Sequence, residues 1–262
     1  MRFEGKVALI TGGGTGIGAA IARRFVADGG KVVLMGRRRD KLEEVAAPLH
    51  GVVAVGDAGN ANDVKATLTQ IRQRFGRLDV LIANAGGHGL GSAATTDDAS
   101  WAEALHSNLT TAFVCVRECL PDLIESRGNA VVVSSIAGLF AGPEVVGYVT
   151  TKHALIGLTR SVARDYGPKG VRINALCPGW VRTAMADEQM DVIRQKHGLK
   201  TTDEAYALVT RHVPLRRPAE AQEVANVACF LASSEASMMS GSVVVVDGGS
   251  SAVDLPTLAF AD

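Results

Sequence analysis

Tyr148 and Lys152 are the residues of this chain whose types and spacing carry chemistry most directly. In Gly147-Tyr148-Val149-Thr150-Thr151-Lys152-His153 they stand at i and i+4, one turn apart on one face of an α-helix. A neighbouring ammonium favours phenolate over phenol, so Lys152 is expected to lower the Tyr148 pKa from its reference near ~10. A tyrosine tuned toward neutrality can take a proton from an alcohol or return one to a carbonyl. Tyr and Lys at this spacing also occur on ordinary exposed helices. The remainder of the chain decides between the two readings.

Elements that would position such a pair are legible along the whole sequence. Lys6 to Thr11 (KVALIT) is a short apolar, β-branched run that reads as a buried parallel strand. Gly12-Gly13-Gly14-Thr15-Gly16-Ile17-Gly18 follows, then a helical pattern at Ile17, Ala20, Ile21 and Phe25. Strand, glycine-rich turn and helix form a unit that binds dinucleotide phosphates, because glycines admit the backbone to the pyrophosphate and the helix start offers free N–H groups. The spacing departs from a plain G-x-G-x-x-G. Lys31 to Met35 is the second strand, ending in Gly36-Arg37-Arg38-Arg39, with the first acid only at Asp40. A base there suits a 2′-phosphate, so NADP is favoured over NAD. Val52 to Asp57 is the third strand, and Asp57 is placed to accept from an adenine amino group.

Asn62 to Phe75 reads as a helix and Asp79 to Ala83 as the fourth strand, running into Asn84-Ala85-Gly86-Gly87. Ser100 to Arg127 reads as one long helix. Asn108 inside it is a poor helix former and suggests a local distortion. Asn129 to Val133, Val171 to Leu176 and Ser242 to Asp247 supply the fifth, sixth and seventh strands, with Gly147 to Tyr166 the helix that carries the Tyr–Lys pair. Alternating strands and helices predict an α/β domain over residues 1–262 with a doubly wound, seven-stranded parallel sheet. Residues 184–212 are polar and weakly periodic, and read as a substrate lid or loop.

Composition narrows the function classes. The 262 residues fit a large α/β domain, with 47% hydrophobic and 21% charged residues. Formal net charge is zero, which points to neither nucleic acid nor acidic membrane surfaces. Cys115, Cys119, Cys177 and Cys229 form no C-x-x-C, and the histidines are dispersed, so no metal site is expected. Neither a signal peptide nor an apolar run of membrane-spanning length is apparent, so a soluble, cytoplasmic protein is expected.

Taken together, these motifs resemble the classical short-chain dehydrogenase/reductase family, over Lys6 to about Gly249. Thr11-Gly12-x-x-x-Gly16-x-Gly18 is similar to its cofactor turn, Asn84-Ala85-Gly86 to its N-A-G motif, and Asp247-Gly248-Gly249 to its D-G-G. Ser135 matches its catalytic serine, Tyr148 and Lys152 its catalytic pair, and Asn108 its helix asparagine. Two positions depart from the pattern: Ala83 stands where another Asn is frequent, and Thr15 where many NADP-dependent members carry a base. The resemblance implies a Rossmann-type fold. It also implies cofactor contacts at Gly12, Thr15, Gly16, Ile17, Gly18, Arg37, Asp57, Ala58, Asn84, Ala85, Gly86, Tyr148, Lys152, Pro178, Gly179, Val181 and Thr183. Lys152 would hold the nicotinamide ribose, Ser135 the substrate oxygen, and Asn108 a proton-relay water.

The expected function is an oxidoreductase moving hydride between NADP(H) and a secondary alcohol or ketone. A 3-oxoacyl-thioester reductase is an alternative that shares every motif. A non-catalytic redox sensor that only binds cofactor is another, although it would need none of Ser135, Tyr148 and Lys152. Leu139, Phe140, Val145 and Val146 should form an apolar wall, favouring a hydrophobic or aromatic substrate. His88 could touch substrate, but a surface loop role fits it better. Apolar residues on several faces of two helices (Phe113, Val114 and Val116; Leu155, Ile156, Leu158 and Val162) predict cover from other copies. A homo-oligomer, with the family resemblance implying a tetramer, is the expected assembly.

Overall fold

Short runs of valine, isoleucine and leucine become the strands, and the segments between them become helices laid on both faces. The computed structural model describes residues 1–87 and 89–260; His88 lies outside the described residues. In chain order the first half comprises β1 (Val7–Thr11), α1 (Gly16–Ala27), β2 (Lys31–Gly36), α2 (Arg39–Ala46), β3 (Val52–Val55), α3 (Ala61–Phe75) and β4 (Val80–Ala83). Then come α4 (Asp98–Ala104), α5 (Thr111–Ser126), β5 (Asn129–Val133), α6 (Val146–Tyr166) and β6 (Arg172–Pro178). The last part holds β7 (Val181–Arg182), α7 (Ala184–His197), α8 (Thr202–Val209), β8 (Ala219–Glu220), α9 (Ala221–Ala232) and β9 (Val243–Val246).

The seven long strands pair in parallel in the order β3-β2-β1-β4-β5-β6-β9, while β7 and β8 form a two-residue parallel ribbon apart from the sheet. That ribbon had no signal in the sequence. Side-chain alternation divides the interior into two layers. Val7 and Leu9 of β1 face a core completed by Val64, Leu68 and Ile71 of α3, Cys115 and Cys119 of α5, and Leu155 of α6. Ala8 and Ile10 face the opposite core, closed by Ile21 and Phe25 of α1, Leu42 of α2 and Val224 and Ala228 of α9. Burial of β1 is complete at every position. This explains why its sequence is a continuous apolar run rather than an alternating one.

The order of the strands reverses between β1 and β4, and ligands of open α/β sheets bind in the crevice outside that switch point. Thr11, at the end of β1, bridges the crevice floor. Its hydroxyl accepts from the backbone N–H groups of Asn84 and Ala85, each at 3.0 Å. In return the Asn84 amide donates to the Thr11 carbonyl at 3.0 Å.

Three sequence expectations need correction. The single helix expected from Ser100 to Arg127 is interrupted: α4 and α5 are joined by a π-helical turn, Leu105–Thr110, with Asn108 inside it. The expected loop at 184–212 is a helical hairpin. Met190, Ala186, Ala205 and Tyr206 form a small core of its own. The Tyr206 hydroxyl donates to Asp187 at 2.8 Å, and the Arg182 guanidinium lies 4.5 Å from the Tyr206 ring centroid. Apolar residues spaced irregularly hid two short helices whose partners are mainly each other. The argument for oligomeric cover also weakens. Val114, Val116, Leu155, Ile156 and Val162 are buried by the chain itself, and Leu158 packs on the core. Of that set Phe113 is the exposed one, at 45%.

Candidate active site

Tyr148 and Lys152 lie in the first two turns of α6, and a neighbouring segment fixes where that helix begins. Gly91 bridges to Val145, the Val146 N–H donates to the Gly91 carbonyl at 3.0 Å, and the Tyr148 N–H donates to the Gly89 carbonyl at 3.1 Å. A β-carbon at Gly89 would stand 2.4 Å from the Tyr148 nitrogen, so only glycine permits this approach. Lys152 is 4% exposed; its Nζ donates to the Val133 carbonyl at 3.1 Å and sits 5.4 Å from the Tyr148 ring centroid.

The two serines after β5 divide the work. Ser134 is buried and its hydroxyl donates to the Lys152 carbonyl at 2.9 Å, tying the strand end to α6. Ser135 is half-buried and caps a 3-10 turn by accepting from the Ala137 N–H at 3.1 Å, which leaves its proton for Tyr148 or a ligand. Asn108 is fully buried in the π-turn. Its Nδ2 donates to the Ala104 carbonyl at 3.0 Å and its Oδ1 accepts from the Gly87 N–H at 2.8 Å. A β-carbon built on Gly86 would lie 2.9 Å from Asn108 Oδ1 and 3.6 Å from Lys152 Nζ. The N-A-G glycine therefore stands between the asparagine and the lysine. The wider π-turn supplies the distortion that an asparagine in mid-helix suggested.

Electrostatics at this centre differ from the sequence expectation. Burial raises the Tyr148 phenol above its ordinary 10, and the opposing influence is a hydrogen bond with Ser135 rather than the charge of Lys152. Burial also pushes the Lys152 ammonium down to about 8 from 10.5. A dry site disfavours phenolate and ammonium alike, so in the protein alone the pair does not reach the low-pKa tyrosine that the i, i+4 spacing suggested. The Cys177 thiol, raised by its own burial, lies close enough to be felt by both groups.

On the other side of the crevice the glycine turn adopts a conformation that fits a phosphate. Gly12 and Gly16 have φ of +64° and +50°, and a β-carbon at Gly18 would come 2.3 Å from the Gly12 carbonyl oxygen. Thr15 is the N-cap of α1 but its side chain caps nothing, which leaves the first N–H groups, at Gly16, Ile17 and Gly18, without a side-chain partner. That donor set fits a dinucleotide pyrophosphate. Ile17 itself packs on the core beneath. Thr183 reaches the same turn, with its methyl 3.2 Å from a β-carbon built on Gly16, while its hydroxyl caps α7 by accepting from the Ala186 N–H at 3.2 Å. Pro178 ends β6, the Gly179 N–H donates to the Val246 carbonyl at 2.9 Å, and Val181 is buried in the β7–β8 ribbon.

The remaining expected contacts are distributed less uniformly. Arg37 is exposed beside Asp57, with no hydrogen bond or ion pair of its own among the described residues. Ala58 is buried, and its carbonyl accepts from the Cys115 thiol at 3.4 Å. Asn84 has its amide occupied by Thr11, so its first task is to hold the turn, and the Ala85 carbonyl receives the Thr111 hydroxyl at 3.4 Å. Asp57 lies beyond the end of β3. Its Oδ1 accepts from the Gly59 N–H and its Oδ2 meets His106 Nε2, both at 2.8 Å. Burial alone would raise the Asp57 carboxyl, but those hydrogen bonds and the charge of Arg37 outweigh it and hold the group below the usual range. His106 and Met185, whose methyl lies 2.6 Å from a β-carbon built on Gly87, had no sequence signal, because each acts through a contact far along the chain, and Thr11 was read only as the start of the cofactor turn, not for its bonds to Asn84 and Ala85. Among the described residues no group of His, Cys, Asp and Glu could hold a metal ion. No described helix is long and apolar enough to cross a membrane.

A family model described as "Enoyl-(Acyl carrier protein) reductase" matches residues 12–251. The chain belongs to the short-chain dehydrogenase/reductase family. It is 50% identical over 257 residues to "Protein MoaE" of Klebsiella aerogenes, covering 98% of this chain and 99% of that one. It is 36% identical to meso-2,3-butanediol dehydrogenase of Serratia marcescens, covering 97% and 98% of the two chains. The crystal structure of levodione reductase superposes with a TM-score of 0.90 at 33% identity, over 97% of this chain and all of the other. The chain is accordingly an oxidoreductase of this family, with a Rossmann-type fold and a nicotinamide dinucleotide as its cofactor.

The lysine makes a prediction for the cofactor-free protein. Its folded pKa of about 8 lies below the unfolded 10.5, so at neutral pH both states are charged and burial costs stability in full. Between those values the folded chain releases the proton first, and stability rises with pH. Lys152→Met removes the titration. The gap in stability between variant and wild type should therefore narrow by up to about 3 kcal/mol from pH 7 to pH 10.5. Denaturant midpoints across that range check this, and a constant gap contradicts it.

Proposed function

We propose that this chain moves hydride between NADP(H) and a secondary alcohol or ketone, with Tyr148 as the general acid/base. One observation carries the reading. Tyr148 and Lys152, with Ser135 close enough to influence the phenol, sit together at the carboxyl ends of the strands, across the crevice from a glycine turn with free N–H groups. The cofactor supplies the hydride chemistry. Ser135 and Tyr148 would hold the substrate oxygen, and Tyr148 would give it a proton in reduction or take one in oxidation. Lys152 would meet the nicotinamide ribose hydroxyls and, once paired there, favour phenolate. Asn108 would steady a water beside Lys152 that replaces the proton. Gly12, Thr15, Gly16, Ile17 and Gly18 would hold the pyrophosphate. Asp57, Ala58 and Asn84 to Gly86 would line the adenosine and ribose side, and Pro178, Gly179, Val181 and Thr183 the carboxamide side.

Support for NADP over NAD rests on Arg37, an exposed guanidinium just past β2 with no hydrogen bond or ion pair among the described residues, where the sequence carries no acid before Asp40. Support for a hydrophobic or aromatic substrate comes from apolar side chains around the mouth. Phe140 is 52% exposed, Met185 lies over Gly87, and Leu139, Val145 and Val146 are half-buried between Ser135 and Tyr148. The α7–α8 hairpin would act as the substrate lid. The description of the matching family model supports an acyl thioester as the second reading of the substrate. A pure redox sensor has no use for the Ser–Tyr–Lys set. The assembly proposed is a cytoplasmic homotetramer, for which exposed Phe113 on α5 and Val245 on the edge strand β9 are the remaining support.

Two measurements test this function. Tyr148→Phe removes the transferable proton and leaves the ring. Its kcat should fall by about 10²–10⁴-fold while the cofactor Kd stays within about twofold. Retention of more than about a hundredth of wild-type kcat overturns the general-acid role. Arg37→Asp replaces a phosphate partner with a carboxylate suited to a free ribose hydroxyl, so KM for NADPH should rise about tenfold or more while KM for NADH falls or holds. Equal changes for both cofactors contradict the NADP assignment.

A further inference from the structure

Beyond the residues that face the crevice, one histidine has a geometry that its surroundings have been shaped to receive. His106 projects from the π-turn between α4 and α5 toward the loop after β3, where its Nε2 meets Asp57 Oδ2 at 2.8 Å. Gly59 lies against the imidazole. A β-carbon there would stand 2.6 Å from His106 Cε1 and 2.9 Å from Nε2, so the loop admits the ring only because residue 59 has no side chain. The other carboxylate oxygen of Asp57 is fixed by the Gly59 N–H, and the Asp57 N–H donates to Asp63 Oδ2 at 2.8 Å. The carboxylate is thereby held from both sides, yet its side chain remains 35% exposed and His106 43% exposed, open to a ligand in the crevice.

The same short turn carries Asn108, which accepts the Gly87 N–H. Two residues apart, His106 and Asn108 leave the turn in different directions, one to the end of β3 and the other to the segment after β4. An α-helix running straight from α4 to α5 would present these side chains at a different rotation.

We infer that His106 is a positioning residue for cofactor recognition: it orients the Asp57 carboxylate toward the adenine end of the dinucleotide. This rests on the proposed cofactor site. With its carboxylate already oriented, Asp57 meets an exocyclic amino group without the entropic cost of ordering a free side chain. Because His106 touches Asp57 and not the reacting atoms, its loss should weaken binding without slowing chemistry in the saturated enzyme.

The test is calorimetric binding of NADPH, ADP-ribose and nicotinamide mononucleotide to the full chain and its variants, alongside steady-state kinetics. His106→Ala should weaken NADPH and ADP-ribose about tenfold, the scale of one hydrogen bond to a charged group, and leave nicotinamide mononucleotide unchanged. KM for NADPH should rise by the same factor with kcat unchanged. His106→Gln, which retains an N–H at similar reach, should restore most of the affinity, and it serves as the test where the alanine variant does not fold. In an Asp57→Ala background, His106→Ala should add less than about twofold, since it acts through the missing carboxylate. Undiminished ADP-ribose affinity in His106→Ala, a full additive loss in the Asp57→Ala background, or equal loss for the mononucleotide overturns the assignment. Failure of the wild-type chain to bind NADPH or ADP-ribose overturns the cofactor site itself, a result separate from any difference among the variants.

Discussion

A lysine buried almost completely, with no carboxylate partner among the described residues, is the constraint around which this molecule is arranged. An ammonium in a dry interior is costly unless its donors are taken up. The chain supplies one acceptor, the Val133 carbonyl, and the pKa of the group falls toward neutrality. Ser134 secures the lysine's own backbone, and Gly138 leaves room for that contact, since a β-carbon there would lie 2.7 Å from both the Lys152 carbonyl oxygen and Ser134 Oγ. On the proposed function the remaining donors of the ammonium meet the hydroxyl groups of a ligand. The ribose of a nicotinamide dinucleotide is such a ligand. On this account the cofactor completes the electrostatics of the site, and the raised Tyr148 pKa describes the protein before it arrives.

The scaffold meets that constraint with ordinary means. Buried parallel strands end abruptly in glycine, serine or asparagine, and each ending carries one functional group to the same edge of the sheet. The Thr11–Asn84 exchange of hydrogen bonds across the switch point keeps the glycine turn and the N-A-G segment in register. Glycines at 18 and 89 are each required by a close backbone approach rather than by flexibility, since a β-carbon would fall within 3 Å of a backbone atom at both.

Much of this was readable in advance, for physical reasons. Continuous apolar runs such as VALIT announce buried parallel strands, and the order of strand, glycine turn and helix announces a phosphate cradle. The Tyr148–Lys152 pairing on one helix face was legible because i, i+4 spacing survives in one dimension, whereas Ser135 and Asn108 were singled out as site residues through the family resemblance. What was not legible depends on distant partners. The π-turn required knowing that Asn108 bonds to Gly87, the α7–α8 hairpin that Tyr206 bonds to Asp187, and the His106 contact that Asp57 lies opposite. The pKa of Tyr148 was misjudged because spacing reports a neighbouring charge but not the burial that opposes it. Apolar residues on several helix faces suggested a partner subunit, when a doubly wound core already covers most of them.

The central claim is that these residues serve direct hydride transfer between the nicotinamide and a carbonyl carbon. Reduction of an aromatic ketone with NADPH deuterated at the transferring position of C4, followed by mass spectrometry of the alcohol, tests it most directly. The account predicts one deuterium, bound to the carbinol carbon, in ordinary water, and none at that carbon from deuterated solvent when the cofactor is unlabelled. Alcohol formed with hydrogen from solvent at that carbon, or no alcohol from any ketone or acyl thioester despite tight cofactor binding, would contradict it.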